Sequence, residues 1–321
     1  MGFLKDGQWH DEWDYNDEDS GAFERDESAF RNWVTPDGSP GPTGDGGFVA
    51  EPGRYRLYIS LACPWAHRAN AARHLKGLTG AIELVNVHWR MQEGGWSFRE
   101  GQCVTPEPLM GASNLHQIYT AAKPDYSGHV TVPVLWDKET GTIVNNESAD
   151  ILRMLGSAFD HCGANDLDLY PEAHRDQIDA VNEEVYDSVN NGVYKAGFAT
   201  TQHAYEAAVV PLFAKLDALE QRLEGQEWLV GGRLTEADIR LWTTLIRFDP
   251  VYHGHFKCNI RRIADYPNLA AFTRRLYDLD GIAETVNFHH IRHHYYESHD
   301  HINPTGVVPA GPDPLVPGAA A

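Results

Sequence analysis

A chain of 321 residues can bury one large hydrophobic core or two smaller ones, and two domains are the expected arrangement. Its formal charge of −20 argues against nucleic acids and anionic membranes as partners, because both bind basic surfaces. No apolar run approaches the roughly 20 residues that cross a bilayer, and the N-terminus lacks the apolar stretch of a signal peptide, so we expect a cytoplasmic protein.

The first 50 residues are polar, acidic and rich in glycine, and they predict an extended arm over residues 1–50 rather than an autonomous unit. Near the end of this arm, residues 40–47 interleave proline and glycine with small polar residues, which disfavours a helix or a strand. Five aromatic side chains are expected to hold the arm against the rest of the protein: Trp9, Trp13, Phe23, Phe30 and Trp33.

Residues 51–160 alternate between strand and helix patterns, and they predict a thioredoxin-like domain. The expected elements are a strand at 55–61, a helix at 64–78, a strand at 82–88, a short helix near 115–121, a hairpin over 130–144 and a helix ending near 155. A cysteine precedes the first helix and a proline begins the third strand. This order and these two residues are typical of the thioredoxin-like fold.

Cys63 lies where the first predicted strand meets the first predicted helix. Pro64 suits the first helical position, because its missing N–H would have no partner there. Cys63 would therefore face free backbone N–H groups and the positive end of the helix dipole, with His67 and Arg68 one turn later. Such a setting favours the thiolate and lowers the pKa of a thiol from about 8.5, so we predict a nucleophile. The alternative is a buried cysteine that serves as a small hydrophobic residue.

Pro133 begins the third predicted strand, at a position where a central strand would need a backbone N–H. We expect a cis peptide bond between Val132 and Pro133, with the Val132 backbone available to pair with a peptide-like ligand. An ordinary trans proline at the start of an edge strand is the alternative.

Beyond a loop at 160–171 the pattern becomes helical, and it predicts an all-α domain over residues 165–302. The expected helices lie at 177–190, 205–223, 235–248 and 269–276, with a turn near Ile282. Thr235 and Asp238 predict a capping box before the third of these helices. Residues 303–321 are rich in proline, glycine and alanine and predict an extended tail.

Six segments carry a more specific pattern: 60–68 (SLACPWAHR), 95–96 (GW), 130–137 (VTVPVLWD), 146–149 (NESA), 190–199 (NNGVYKAGFA) and 240–244 (RLWTT). Together they resemble the glutathionyl-hydroquinone reductases, the xi class of glutathione transferases, which is related to the omega class. The resemblance implies a glutathione transferase fold, in which a thioredoxin-like α/β N-terminal domain precedes an all-α C-terminal domain. It also implies a detoxifying oxidoreductase that acts as a homodimer.

The resemblance also implies a role for each residue of a thiol-binding site. Cys63 would be the nucleophile, Trp96 would pack on the bound thiol peptide, and the Val132 backbone would pair with its cysteinyl unit. Glu147 and Ser148 would hold the ammonium and the carboxylate of the γ-glutamyl unit. Their place at the start of a helix agrees with this, because a carboxylate suits a helix N-terminus and an ammonium suits Glu147.

Tyr194 and Tyr295 would hold the aromatic substrate in such an enzyme. Each tyrosine also has a purely structural interpretation as a core or interface residue, and the adjacent Tyr296 could exchange roles with Tyr295. In the implied reaction, the Cys63 thiolate attacks the sulfur of a glutathionyl-hydroquinone and forms a mixed disulfide, and the phenols supply a proton and hydrogen bonds to the leaving ring. A second thiol then releases the oxidised thiol, so ping-pong kinetics are expected.

His129 departs from the arginine that members of this family usually carry before the VTVPV segment. A basic residue there is well placed to meet the glycine carboxylate of glutathione, and a mostly neutral histidine is a weaker anion partner. The protein also has only seven lysines and a strongly acidic composition, as proteins adapted to high salt do, although a high G+C content also favours arginine over lysine. The co-substrate is therefore either glutathione or γ-glutamylcysteine, which lacks the glycine.

Two other functions remain open. An omega-like thioltransferase or dehydroascorbate reductase would also use one cysteine but would not need the paired tyrosines. A non-catalytic binding module with the same fold would typically lose the cysteine and the Glu-Ser pair, both of which this chain retains.

We predict no metal site and no nucleotide or flavin cofactor. The four cysteines, at positions 63, 103, 162 and 258, show neither a C-x-x-C pair nor zinc-ligand spacing. Histidines cluster near the C-terminal end, at positions 289, 290, 293, 294, 299 and 301. Their i, i+4 pairs could bind a metal adventitiously, but we expect this segment to line the substrate pocket instead.

Overall fold

The computed structural model describes residues 2–12, 16–17, 19–312 and 314–316. These residues separate into a first unit, made of residues 2–12 and 26–168, and a second unit, made of the described residues of 14–25 and 169–321. Trp13 and the tail residues 313 and 317–321, for which the sequence makes predictions, lie outside the described residues. Among the helices that are described, none combines the length and the apolar character that crossing a bilayer requires.

The first unit contains strands and three α-helices in its described residues. The strands are β1 (Phe3–Lys5), β2 (Gln8–His10), β3 (Trp33–Thr35), β4 (Gly47–Val49), β5 (Tyr55–Ile59), β6 (Glu83–Asn86), β7 (Gly128–His129), β8 (Val134–Asp137) and β9 (Thr142–Asn145). The helices are α1 (Pro64–Leu75), α2 (His116–Ala122) and α3 (Ser148–Ser157).

The main sheet of the first unit has the strand order β6-β5-β8-β9. Strand β5 runs parallel to β6 and antiparallel to β8, and β9 pairs antiparallel with β8. All side chains of β5 are buried, as expected for a strand that is covered on both faces. Helices α1 and α3 pack against each other. This arrangement confirms the thioredoxin-like prediction.

Two boundaries in the first unit differ from the prediction. Helix α1 ends at Leu75 rather than near residue 78, because Gly77 adopts a positive φ of 72° that ends the helix. Strand β8 begins at Val134, after the predicted proline, because Pro133 has no N–H to donate to a ladder. The peptide bond between Val132 and Pro133 is cis, which confirms the expectation from the sequence.

The N-terminal arm contains short strands that the sequence pattern does not predict. Strand β1 pairs with both β2 and β7, and β3 pairs with β4. A strand of three residues is too short to show an alternating pattern in the sequence. Whether such a segment forms a strand therefore depends on its pairing with other segments. The Trp9 ring stacks on His116 at 5.0 Å, and Phe30 stacks on Tyr126 at 5.5 Å.

The second unit is helical. Its helices are α4 (Arg175–Val185), α5 (Gly192–Phe198), α6 (Gln202–Arg222), α7 (Glu236–Arg247), α8 (Pro267–Tyr277) and α9 (Phe288–Ser298). Two π-helical segments, Tyr186–Asn190 and Phe248–Tyr252, follow α4 and α7. The predicted all-α character of this half is thereby confirmed.

Helix α5 is not predicted as an element because Gly192 and Gly197 lower its helix propensity. The structure shows why Gly197 is there: a Cβ at this position would lie 2.1 Å from the ring of Phe256. Close packing of an aromatic ring on the helix backbone therefore requires glycine at this position.

The predicted capping box at the start of α7 is present. The buried carboxylate of Asp238 accepts hydrogen bonds from the backbone N–H groups of Leu229 and Thr235, both at 2.8 Å, and from the Thr235 hydroxyl at 2.9 Å. Burial raises the pKa of Asp238 to about 6, and these donors offset only part of that effect. The carboxylate thus joins the loop before α7 to the first turn of the helix.

Replacing Asp238 by alanine is expected to lower the free energy of unfolding by about 2 kcal/mol, because buried N–H groups lose their acceptor. Urea denaturation at pH 7.5 measures this. Asp265→Ala is the matched control, since Asp265 forms a similar but exposed capping contact with Arg262 and should cost well under about 1 kcal/mol. Equal losses in the two variants would contradict the assignment.

Candidate active site

Cys63 forms the N-cap of α1, as the sequence predicts for a strand–Cys–Pro–helix junction. Its Sγ accepts a hydrogen bond from the Ala66 N–H at 3.5 Å and lies 3.6 Å from the carbonyl oxygen of Val132. The side chain is partly exposed. Cys63 is therefore within reach of a ligand, with its sulfur at the positive end of a helix.

Two basic side chains follow Cys63 on α1, and both are buried. His67 and Arg68 are each 2% exposed. The Arg68 guanidinium lies 4.4 Å from the centroid of the Trp65 ring and donates to the Ser148 hydroxyl at 3.4 Å. Arg68 thus connects the helix that carries Cys63 with the start of α3.

Glu147 and Ser148 lie at the N-terminus of α3. The Glu147 carboxylate accepts from the Ala149 N–H at 3.0 Å and from the Ser28 hydroxyl at 3.0 Å. The Glu147 N–H in turn donates to the side-chain oxygen of Asn145 at 2.7 Å. The carboxylate is therefore held in position at the helix start, as binding an ammonium group would require.

Val132 lies in a loop and precedes Pro133 through the cis peptide bond. Tyr119 holds the residue before it, Thr131, in position. The Tyr119 hydroxyl donates to the Thr131 carbonyl at 2.8 Å and accepts from the Thr131 N–H at 3.2 Å. It also accepts from the Asn146 amide at 3.2 Å. Within the described residues, nothing accepts a hydrogen bond from the Val132 N–H. This amide is thus available to a peptide ligand.

Tyr119 is a positioning residue that no pattern in the sequence indicates. Burial raises its pKa above the usual value, so its hydroxyl keeps its proton. A tyrosine in the apolar pattern of a short helix is normally a core residue. Only its hydrogen bonds to Thr131 and Asn146, which are distant from it in sequence, reveal that it connects two parts of the thiol site.

Trp96 and His129, the other predicted members of the thiol site, also belong to the first unit. Trp96 is 7% exposed, and its carbonyl accepts from the Leu115 N–H at 2.8 Å. His129 lies in β7, and its Nδ1 is 2.8 Å from a carboxylate oxygen of Asp26. An anion that approaches His129 would therefore also meet the negative charge of Asp26.

Tyr194 and Tyr295 come together in the second unit. Their hydroxyl oxygens are 2.7 Å apart, although 101 positions separate them in sequence. A third tyrosine, which no pattern in the sequence indicates, joins them: the Tyr252 hydroxyl lies 3.1 Å from that of Tyr295. Tyr296 instead packs its ring against His255, with centroids 4.7 Å apart. Of the two adjacent tyrosines, Tyr295 rather than Tyr296 therefore makes the hydroxyl contact with Tyr194.

The two inner phenols of this group keep their protons at neutral pH. Burial raises the pKa of Tyr252 and of Tyr295 well above the usual value of 10.0, and a negative charge on Tyr194 would raise both further. The positive charge of Arg247 lowers both pKa values but does not offset burial. These phenols are therefore hydrogen-bond donors rather than bases.

The histidine-rich end forms α9 and its continuation. His255 Nε2 lies 3.0 Å from His299 Nδ1, and both imidazoles are buried. His289 and His293 lie side by side, with ring centroids 4.0 Å apart, and His293 Nδ1 lies 2.8 Å from Glu297. Among the described residues, no group of three or more His, Cys, Asp or Glu side chains could hold a metal ion.

Comparisons with known proteins identify the family of this chain. Residues 62–158 match the model of the glutathione S-transferase N-terminal domain, and residues 202–275 match that of the C-terminal domain. The glutathionyl-hydroquinone reductase YqjG of Escherichia coli is 56% identical over 97% of this chain and 95% of its own length. The glutathionyl-hydroquinone reductase PcpF of Sphingobium chlorophenolicum is 52% identical over 99% of this chain and 98% of its own.

Solved structures show the same relationship. The glutathione-bound structure of YqjG superposes with a TM-score of 0.91 at 54% identity, covering 98% of this chain and 97% of that one. A Xi class glutathione transferase from Natrialba magadii superposes with a TM-score of 0.89 at 45% identity, covering 98% and 93%. This chain therefore belongs to the glutathione transferase family, in the Xi class that includes the glutathionyl-hydroquinone reductases.

Proposed function

We propose that this protein is a glutathionyl-hydroquinone reductase, which removes the thiol from a glutathionyl-hydroquinone and consumes a second thiol molecule. The observation that carries the proposal is the position of Cys63 at the N-cap of α1, with its sulfur 3.5 Å from the Ala66 N–H. In the same unit, the Val132 amide and the Glu147 carboxylate offer the groups that a γ-glutamyl peptide needs. The relatives named above, whose identity extends over nearly the whole chain, support the assignment.

In the first step, the Cys63 thiolate attacks the sulfur of the thioether. A disulfide bond forms between Cys63 and the thiol peptide, and the bond between sulfur and the aromatic carbon breaks. The electron pair of that bond stays on the ring carbon, which takes up a proton to give the free hydroquinone. The helix N-terminus favours the anionic nucleophile that this step needs.

In the second step, a free thiol attacks the peptide sulfur of the mixed disulfide. This attack forms the oxidised thiol and releases Cys63 as a thiolate. The net reaction converts one glutathionyl-hydroquinone and one thiol into one hydroquinone and one disulfide. The two half-reactions predict ping-pong kinetics.

Tyr194 and Tyr295 bind the hydroquinone and supply the proton in this proposal. The negative charge that develops on the ring as the carbon–sulfur bond breaks is stabilised by phenolic hydrogen bonds and removed by protonation. The raised pKa of Tyr295 keeps its proton available for hydrogen bonding at neutral pH. Tyr194 is the less buried of the two, at 9% exposed against 1%, which supports Tyr194 as the proton donor to the ring carbon.

We propose that residues 51–160 form the thiol-binding domain and residues 165–302 the domain for the aromatic substrate and for dimerisation. We also propose that the enzyme acts in the cytoplasm as a homodimer, without nucleic acid or membrane partners. The net charge of −20 supports the absence of polyanionic partners. Light scattering at physiological ionic strength tests the dimer, and a monomeric mass would overturn it.

The test of the activity uses the purified protein with a synthetic glutathionyl-hydroquinone and glutathione under anaerobic conditions. Free hydroquinone and oxidised glutathione should form in equal amounts, and mass spectrometry without added thiol should detect the mixed disulfide on Cys63. Dehydroascorbate is the comparison substrate. Rapid reduction of dehydroascorbate with no release of hydroquinone would assign an omega-like activity instead.

The identity of the thiol depends on His129. The Asp26 carboxylate 2.8 Å from its ring disfavours the glycine carboxylate of glutathione, which supports γ-glutamylcysteine as the better co-substrate. His129→Arg should lower the KM for glutathione by about tenfold, because arginine forms charge-assisted pairs with a carboxylate.

The KM for γ-glutamylcysteine, which has no glycine carboxylate, should stay within about twofold in the same variant. The substrate itself is thus the internal control, and steady-state kinetics with both thiols measure the effect. A wild-type protein that strongly prefers glutathione would contradict the hypothesis on γ-glutamylcysteine and leave the reductase assignment in place.

A further inference from the structure

We infer that Tyr252 is a positioning residue for the reaction, and that its hydroxyl acts with that of Tyr295 to make Tyr194 a stronger proton donor. This inference rests on the proposed function and adds a third phenol to it. The observation is the continuous hydroxyl contact within the second unit, 3.1 Å from Tyr252 to Tyr295 and 2.7 Å from Tyr295 to Tyr194.

The order of these hydroxyls follows from burial. Tyr252 is 0% exposed, Tyr295 1% and Tyr194 9%. The two hydroxyl contacts therefore lead from the most buried phenol, Tyr252, to the least buried one, Tyr194. A buried hydroxyl that donates no hydrogen bond is costly. In the arrangement that we infer, Tyr252 donates to Tyr295, and Tyr295 directs its own proton to the Tyr194 oxygen. The Tyr194 proton is then directed away from Tyr295.

A hydrogen bond to the Tyr194 oxygen is worth most when that oxygen becomes negative. Donors to an anionic oxygen stabilise it more than they stabilise the neutral hydroxyl. The charge of Arg247, which lowers the pKa of both Tyr252 and Tyr295, acts in the same direction. Because Tyr252 strengthens the donor that contacts Tyr194, its hydroxyl helps Tyr194 to release a proton to the substrate.

Aromatic contacts hold the ring of Tyr252 in place independently of its hydroxyl group. The ring stacks on Phe256 at 5.5 Å with an interplanar angle of 10°, and it meets Phe248 edge-on at 6.2 Å. Its position in the π-helical segment after α7 also fits a functional role, because π turns occur frequently at functional sites. Removing only the oxygen should therefore leave the packing in place.

The test is Tyr252→Phe in the full-length protein, with Tyr266→Phe as the matched control. Tyr266 is also buried in the second unit, but its hydroxyl donates to Asp217 at 2.9 Å rather than to the tyrosine group. In Tyr252→Phe, kcat for hydroquinone release should fall about tenfold while KM changes less than about twofold. The alkaline limb of the kcat–pH profile should move to higher pH. Tyr266→Phe should change neither.

A readout independent of activity separates this inference from the proposed function. Absorbance near 295 nm follows tyrosine ionisation, and the transition that is lost in Tyr194→Phe should shift to higher pH in Tyr252→Phe. A titration and a kcat profile unchanged by Tyr252→Phe would overturn the inference. A wild type without hydroquinone release would overturn the proposed function, and the titration alone would then decide the role of Tyr252.

Discussion

Replacing Cys63 by serine is expected to lower the rate of hydroquinone release by about a thousandfold or more. Serine has nearly the same shape and keeps the N-cap contact with the Ala66 N–H, so the fold should survive. Its hydroxyl, however, is a far weaker nucleophile at neutral pH and cannot form a disulfide. Stopped-flow or steady-state measurement of hydroquinone formation, together with circular dichroism of the variant, checks both parts of this expectation.

Cys162→Ser is the matched control for this experiment. Cys162 belongs to the same unit and its Sγ contacts the Ala50 carbonyl at 3.5 Å, but burial raises the pKa of its thiol. It should therefore be unreactive, and its replacement should leave the rate within about twofold. Retained activity in Cys63→Ser, or an equal loss in Cys162→Ser, would end the assignment of Cys63 as the nucleophile.

Acid should destabilise the second unit through the buried pair His255 and His299. Burial lowers the pKa of His255 to about 3 and that of His299 well below 6.5. Positive charge on His294 or His301 lowers both pKa values further, and Lys257 lowers that of His255. Both imidazoles are thus neutral in the folded protein, whereas the unfolded chain binds protons below about pH 6.5. Stability is full above that pH and falls as the pH is lowered toward 3.

For His255 alone, the loss at pH 4.5 amounts to about 3 kcal/mol relative to pH 7.5. His255→Gln keeps a side chain that can pair with His299 but removes the titrating group, so it should lose less stability over this range. Urea denaturation at the two pH values measures the difference between wild type and variant. Parallel pH dependences in the two proteins would contradict the linkage.

Comparison with the variant is needed because Asp238 acts in the opposite direction. Its pKa is raised from 3.8 to about 6 in the folded protein, so the proton-linked part of its stabilisation is present below pH 3.8 and is lost as the pH rises through 6, whereas the hydrogen bonds that Asp238→Ala removes at pH 7.5 remain. The total pH dependence therefore combines opposing groups. The difference between wild type and His255→Gln isolates the histidine.

The sequence by itself determined the features whose interactions join near neighbours in the chain. Pro64 at the first position of α1 places Cys63 at the cap, and the pairing of Thr235 with Asp238 begins α7; both need only a few consecutive residues. The cis bond before Pro133 was predicted from its place at a strand start in a recognisable fold. The sequence motifs around these residues also indicated the family to which the chain belongs.

Only the tertiary structure decided the contacts between residues distant in sequence. The Tyr252 hydroxyl meets Tyr295 across 43 positions, and Asp26 meets His129 across 103. A local pattern reports which face of an element is apolar, but it does not report which polar atoms of two buried elements point at each other. That pairing depends on how helices and strands pack in three dimensions, and so the third phenol and the acidic neighbour of His129 became visible only in the fold.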